Sequence, residues 1–151
     1  MFFNCTPVTA LPFLGCAYIL CGGQKVKIYI AGKITGDKHY KKKFARAEKA
    51  LRRLGHSVMN PAWIGASADF SWDDYMQVSA AMMDVCDAML CLPDAEQSKG
   101  ARIEYEKAYE RGMVIFDSIR AVPDISGTCR RRKQLEAAFQ KLLIGNRHTV
   151  G

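Results

Sequence analysis

Four short runs of apolar, aromatic and β-branched residues alternate with longer stretches whose apolar residues recur every three or four positions, all between residues 26 and 116. This alternation constrains the fold more than any other feature of the chain. Residues 26–31 (Val26, Lys27, Ile28, Tyr29, Ile30, Ala31), 56–60, 88–92 and 113–116 have the length and composition of strands. The first intervening stretch carries Tyr40, Phe44, Ala47, Leu51 and Leu54 on one helical stripe, and Gly55 ends it. A second helix is predicted over 72–86, where Ser71 is the N-cap and Asp73 and Asp74 sit in the dipole-favoured first turn. A third runs from Ala101 until Gly112 stops it.

Strands and helices in strict alternation require right-handed crossovers and a parallel sheet covered on both faces. The expected fold is therefore α/β: a three-layer α/β/α, flavodoxin/Rossmann-like parallel sheet of four to five strands. In such a sheet, ligands sit beyond the carboxyl ends of the strands, where the first turns of helices offer unpaired N–H groups. The run Ser98, Lys99, Gly100, Ala101, Arg102, Ile103, Glu104 follows the third strand directly. Ser98 suits an N-cap, Gly100 permits close approach, and Glu104 falls about one turn into the helix, facing the crevice.

The chain divides into an extension over 1–24, the α/β domain over 25–118, and a link with an amphipathic helix over 119–151. The extension has hydrophobic residues broken by Pro7 and Pro12 and carries no Lys or Arg before Lys25. It fits neither a secretory signal nor a membrane span, and is expected to be poorly ordered or read from a mistaken start codon. In the tail, Leu135, Phe139, Leu142 and Leu143 mark a docked helix over 130–143, with Arg130, Arg131, Arg132 and Lys133 at its start. The six cysteines form no C-x-x-C pair and have no His at metal spacing, so reduced thiols, a cytoplasmic setting and no metal are expected. An excess of 22 Lys+Arg over 15 Asp+Glu favours an anionic partner.

Several features have bland readings. The basic side of the first helix, Lys41, Lys42, Lys43, Arg46, Lys49, Arg52 and Arg53, lacks interleaved aromatics, so a solvated face is expected rather than a nucleic-acid site. His56, just after a helix-ending Gly, is read as structural. Met76, Met82 and Met83, with small residues between them, point to a mostly buried helix or a subunit interface.

Taken together, Tyr29 to Gly36, Gly55 to Pro61, Cys86-Asp87-Ala88 and Ser98 to Glu104 resemble the nucleoside 2-deoxyribosyltransferase-like superfamily, nearest to a small bacterial and phage-borne branch. The resemblance covers residues 26–116. It implies Glu104 as the nucleophile that attacks C1′ of a deoxyribose, with Tyr29 positioning it. It also implies a 5′-phosphate cradle from Gly32, Lys33, Ile34, Thr35 and Gly36 together with Ser98 and Gly100 at the head of the last helix. The implied ligand is a nucleotide or nucleoside monophosphate, with no cofactor, no membrane association, and a homodimer that completes the site.

One position departs from the pattern. The active enzymes carry an Asp where this chain has Ser79, and a hydroxyl of ordinary pKa cannot protonate a departing base. Two readings follow: an N-glycosidase or deoxyribosyltransferase acting on a (deoxy)nucleoside 5′-monophosphate, and a nucleotide-binding module without efficient catalysis.

Overall fold

A computed structural model describes residues 24–127 and Gln134. In chain order the elements are β1 (Lys27–Ala31), α1 (Tyr40–Arg53), β2 (Ser57–Met59), α2 (Trp72–Asp84), β3 (Ala88–Cys91), α3 (Lys99–Glu110) and β4 (Val114–Phe116). Short 3-10 turns lie at Pro61–Trp63, Ala95–Gln97 and Ile119–Ala121. The four strands form one parallel sheet in the order β2-β1-β3-β4.

Because strand side chains alternate between faces, β1 feeds two cores. Ile28 and Ile30 pack with Phe44 and Leu51 of α1, and with Leu90 and Phe116. Tyr29 and Ala31 face the other way, against Met83 of α2 and Ala101 and Ala108 of α3. The result is the expected α/β/α sandwich, with four strands among the described residues. No helix among them is long and apolar enough to cross a membrane. The extension over 1–24, apart from its last residue, and the helix over 130–143, apart from Gln134, lie outside the described residues.

The second strand is shorter than its sequence suggests, because both of its ends are used for other bonds. His56 Nδ1 accepts from the Val26 N–H at 3.4 Å while Nε2 lies 2.7 Å from the Pro123 carbonyl, so the ring bridges the residue just before β1 to the chain after β4. At the other end Asn60 caps the 3-10 turn, accepting from the Ala62 N–H at 2.9 Å. The expectation of a mostly buried second helix is corrected. Only Ser79 and Met83 of α2 are buried, and Val78 is 45% exposed. One narrow stripe of α2 touches the sheet, and among the described residues no layer covers its outer side. Its first turn is closed by a capping box, Ser71 with Asp74.

Gly55 follows the C-terminal end of α1 with a φ of +98°. A Cβ there would stand 2.8 Å from Ile125 Cγ1 and 3.2 Å from the Ser126 nitrogen. Left-handed backbone alone costs an L-residue roughly 1–2 kcal/mol. With the clash added, Gly55→Ala is expected to destabilise the fold by about 2 kcal/mol or more. Urea unfolding checks this: the midpoint should fall with the slope unchanged.

Candidate active site

The chain leaves the two central strands toward opposite faces, α1 on one and α3 on the other. This switch point opens a crevice at the carboxyl ends of β1 and β3, the place where open α/β sheets bind ligands. A cavity of about 490 Å³ occupies it, walled by the loop after β1, the turn after β2 and the first turns of α2 and α3.

Glu104 lies in its wall and is only 7% exposed. Tyr29, fully buried on β1, donates from Oη to Glu104 Oε1 at 2.8 Å. Ser79, buried on α2, lines the same cavity, and its hydroxyl favours the charged forms of both groups. Burial pushes the Glu104 pKa up to about 7, against the opposing pull of the Tyr29 bond, the Lys107 charge and Ser79. Burial, then the neighbouring Glu104, hold the Tyr29 phenol well above its ordinary range, so it stays a donor. A carboxyl poised near neutrality and fixed through one oxygen is suited to nucleophilic or acid/base work.

The loop after β1 approaches this pair closely. A Cβ on Gly32 would stand 2.9 Å from Leu92 Cδ1 and 3.1 Å from Phe44 Cζ, so any larger residue there would have to push these side chains aside. The Asp37 N–H bonds to the Ile34 carbonyl at 3.1 Å, closing a turn whose third residue, Gly36, has a φ of +78°. Ile34, Thr35 and Gly36 line the cavity, and among the described residues no hydrogen bond takes their N–H groups. Lys33 is directed otherwise: its N–H reaches Asp94 Oδ1 at 3.4 Å, its carbonyl accepts from Lys43 Nζ at 2.9 Å, and it is not part of the cavity wall. Lys38 is part of that wall.

Across the cavity, Ser98 Oγ caps α3 by accepting from the Ala101 N–H at 3.3 Å. Gly100 also lines the cavity, and a Cβ there would meet Met76 Sδ at 3.1 Å, which lets α2 and α3 converge. The remaining wall is apolar and aromatic, from Pro61, Ile64, Trp72, Tyr75 and Met76. Glu48 of α1 fixes the turn that carries Pro61, accepting from Asn60 Nδ2 and Trp63 Nε1 at 2.9 Å each. Lys99 Nζ sits 4.8 Å above the Trp72 ring, joining the heads of α3 and α2.

Of the residues singled out from the sequence, Gly32, Ile34, Thr35, Gly36, Ser98, Gly100 and Glu104 share this cavity, and Tyr29 reaches it through Glu104. Lys38, Trp72, Tyr75 and Met76 were not singled out as site residues. A signal for the last three existed: Trp72, Tyr75, Met76 and Ser79 fall at helical spacing on one stripe. Lys43 is the other departure, since it turns out of the expected solvated face into the loop. Among the described residues no group of three or more His, Cys, Asp and Glu is placed to hold a metal. Neither Cys86 nor Cys91 is in a disulfide.

No curated protein matches this chain. Among solved structures, a 2-deoxyribosyltransferase of the psychrotolerant bacterium Bacillus psychrosaccharolyticus is similar at 22% identity, covering 59% of this chain and 69% of that one, with a TM-score of 0.48. Residues 26–117 match the family described as a domain of unknown function, DUF4406. That match takes in every strand of the sheet and every residue of the cavity wall, so the chain belongs to the DUF4406 family.

Proposed function

We propose that the protein acts on the base–sugar bond of a (deoxy)nucleoside 5′-monophosphate, as an N-glycosidase or deoxyribosyltransferase, with Glu104 as nucleophile and Tyr29 as its positioning partner. The observation that carries this reading is the buried Glu104 carboxyl, held by Tyr29 in the wall of a cavity with two dissimilar ends. The loop of Gly32 to Gly36 and the head of α3 with Ser98 and Gly100 suit a phosphate, through backbone N–H groups and the helix dipole. The end lined by Trp72, Tyr75 and Met76 suits a flat, apolar-faced base.

The chemistry balances in two steps. A Glu104 oxygen forms a bond to C1′ while the C1′–N bond breaks, its electron pair leaving with the base, which takes a proton from solvent. Water, or a second base, then attacks C1′ and releases a proton to solvent, and Glu104 departs as carboxylate. The test is release of free base from a panel of deoxynucleoside monophosphates by purified protein. The reading keeps the homodimer: Val78, Val85 and Tyr109 are exposed on the outer sides of α2 and α3, surface that a second copy would cover.

One observation favours the alternative of a binding module. The carboxyl groups lining the cavity are Glu104 and Asp37, and Asp37 is held by Lys43 at 2.8 Å, which leaves Ser79 where an acid would protonate the base. Both readings share the phosphate site, and Lys38 tests it. Lys38→Ala is expected to weaken monophosphate binding by about 1.5 kcal/mol, the range for one charge-assisted contact, and to spare nucleoside binding. Lys33→Ala, outside the wall, should do less. Calorimetry giving the two variants equal losses would contradict this placement of the anion.

A further inference from the structure

Behind the loop after β1 lies a closed ring of bonds that the reaction itself does not use. Lys43, on the first full turn of α1, gives its ammonium to three acceptors: the Lys33 carbonyl at 2.9 Å, Asp37 Oδ2 at 2.8 Å, and Asp94 Oδ2. Those are all the donors an ammonium has. Asp94 returns the connection, since its Oδ1 accepts from the Lys33 N–H, and Asp37 Oδ1 accepts from the His39 N–H at 2.8 Å. The three charged side chains are each about a quarter exposed. Asp37 is held below the usual carboxylate range, chiefly by its bond to Lys43. Burial works against the Lys43 charge, yet the two carboxylates keep its pKa above the ordinary value.

The ring joins two loops that meet only at the switch point. Asp94 belongs to the turn after β3, four residues before the Ser98 cap of α3, and Lys33 and Asp37 bracket the turn of Ile34, Thr35 and Gly36. Both backbone polar groups of Lys33, its N–H and its carbonyl, are therefore engaged by Asp94 and Lys43. The next three residues line the cavity, and among the described residues no hydrogen bond takes their N–H groups.

We propose that Lys43 and Asp94 are positioning residues, which clamp the β1–α1 loop to the β3–α3 loop and so set the two halves of the phosphate cradle at a fixed separation. The inference rests on the phosphate-binding reading given above. It has a feature that simple electrostatics lacks. One lysine and two aspartates leave the ring with a net negative charge beside a site for an anion, so by charge alone it opposes binding, and its worth is geometric.

Asp94→Asn separates the two effects by sign. Removing a negative charge should tighten monophosphate binding if charge is what matters; unhooking the loops should weaken it if the clamp matters. The expected result is a drop of at least tenfold in the ratio of monophosphate to nucleoside affinity, measured by calorimetry with matched deoxynucleoside monophosphates and nucleosides. Lys43→Met should lower the same ratio at least as far. Asp94→Asn keeps the shape of the side chain and guards against a Lys43 variant that fails to fold. A merely structural role would lower melting temperature and leave the ratio alone. An unchanged or raised ratio in Asp94→Asn overturns the clamp and leaves the phosphate site standing. Wild-type protein that binds monophosphate no better than nucleoside overturns both.

Discussion

Glu104→Gln is expected to lower base release by about three powers of ten or more, while monophosphate affinity stays within about threefold of wild type. The amide keeps the shape of the carboxyl and can still accept from Tyr29, but it cannot form the glycosyl ester. Wild-type turnover should rise with pH and level off above about 7, because the carboxylate is the reacting form and its pKa lies there. The same group makes a separate statement about stability. Its folded pKa of about 7 stands above the ordinary 4.5, so the stabilisation it contributes is fully present below about 4.5 and lost as pH rises through 7. The full loss is about 3 kcal/mol. Gln does not titrate, so the variant should gain on wild type by about that amount between pH 4 and 9, as read by urea unfolding. A stability difference that stays flat with pH would show that Glu104 is not a buried, late-titrating carboxyl.

Ser79→Asp is the converse change. It places a second carboxyl on the stripe of α2 that lines the cavity with Glu104 and already influences the titration of Tyr29 and Glu104. Two such groups share a proton, and their apparent pKa values belong to the pair. On the acid side of neutrality one is protonated and available to the departing base. An acid/base partner is typically worth a factor of about 10² to 10⁴, and turnover in that range of pH should rise accordingly. Above neutrality both charges are forced together in a buried place, and the variant should lose about 2–4 kcal/mol of stability. Base release from single-turnover incubations and unfolding at two pH values measure both halves. Should wild type and Ser79→Asp both release no base while binding monophosphate, the protein is a binding module.

Much of this architecture is legible in the chain. The period-two pattern of residues 26–31 sends Tyr29 to the face opposite Ile28 and Ile30, and the interval from Ser98 to Glu104 sets that carboxyl on the first turns of α3. Local rules suffice because each statement concerns neighbours along one element. The ring of Lys43, Asp37 and Asp94 depends instead on residues brought together by the sheet order, and nothing local distinguishes Lys43 from the six other cations on that side of α1. The choice between Lys33 and Lys38 at the cavity fails to be legible for a related reason. A tight turn throws successive side chains in different directions, and the Lys33 backbone is held by Asp94 and Lys43, which lie on other elements. The exposure of α2 was also hidden, since small and soft residues serve a buried helix and a bare one equally well.

The central position of the first strand has a consequence for how the molecule comes into being. Ile28 lies between Val58 and Ala88, partners that the ribosome supplies one after the other, much later than β1 itself. Until β3 has emerged, β1 has one open edge and its Tyr29 side lacks the strand and helices that later bury it. The Tyr29–Glu104 bond then closes a loop of 75 residues, a late and entropically costly event. Its formation reports that both crossovers are in place, so the pair that defines the chemistry is also a marker of completed folding. Nascent chains stalled before residue 104 should expose the Tyr29 ring to solvent quenchers, and chains stalled well beyond the fourth strand should protect it.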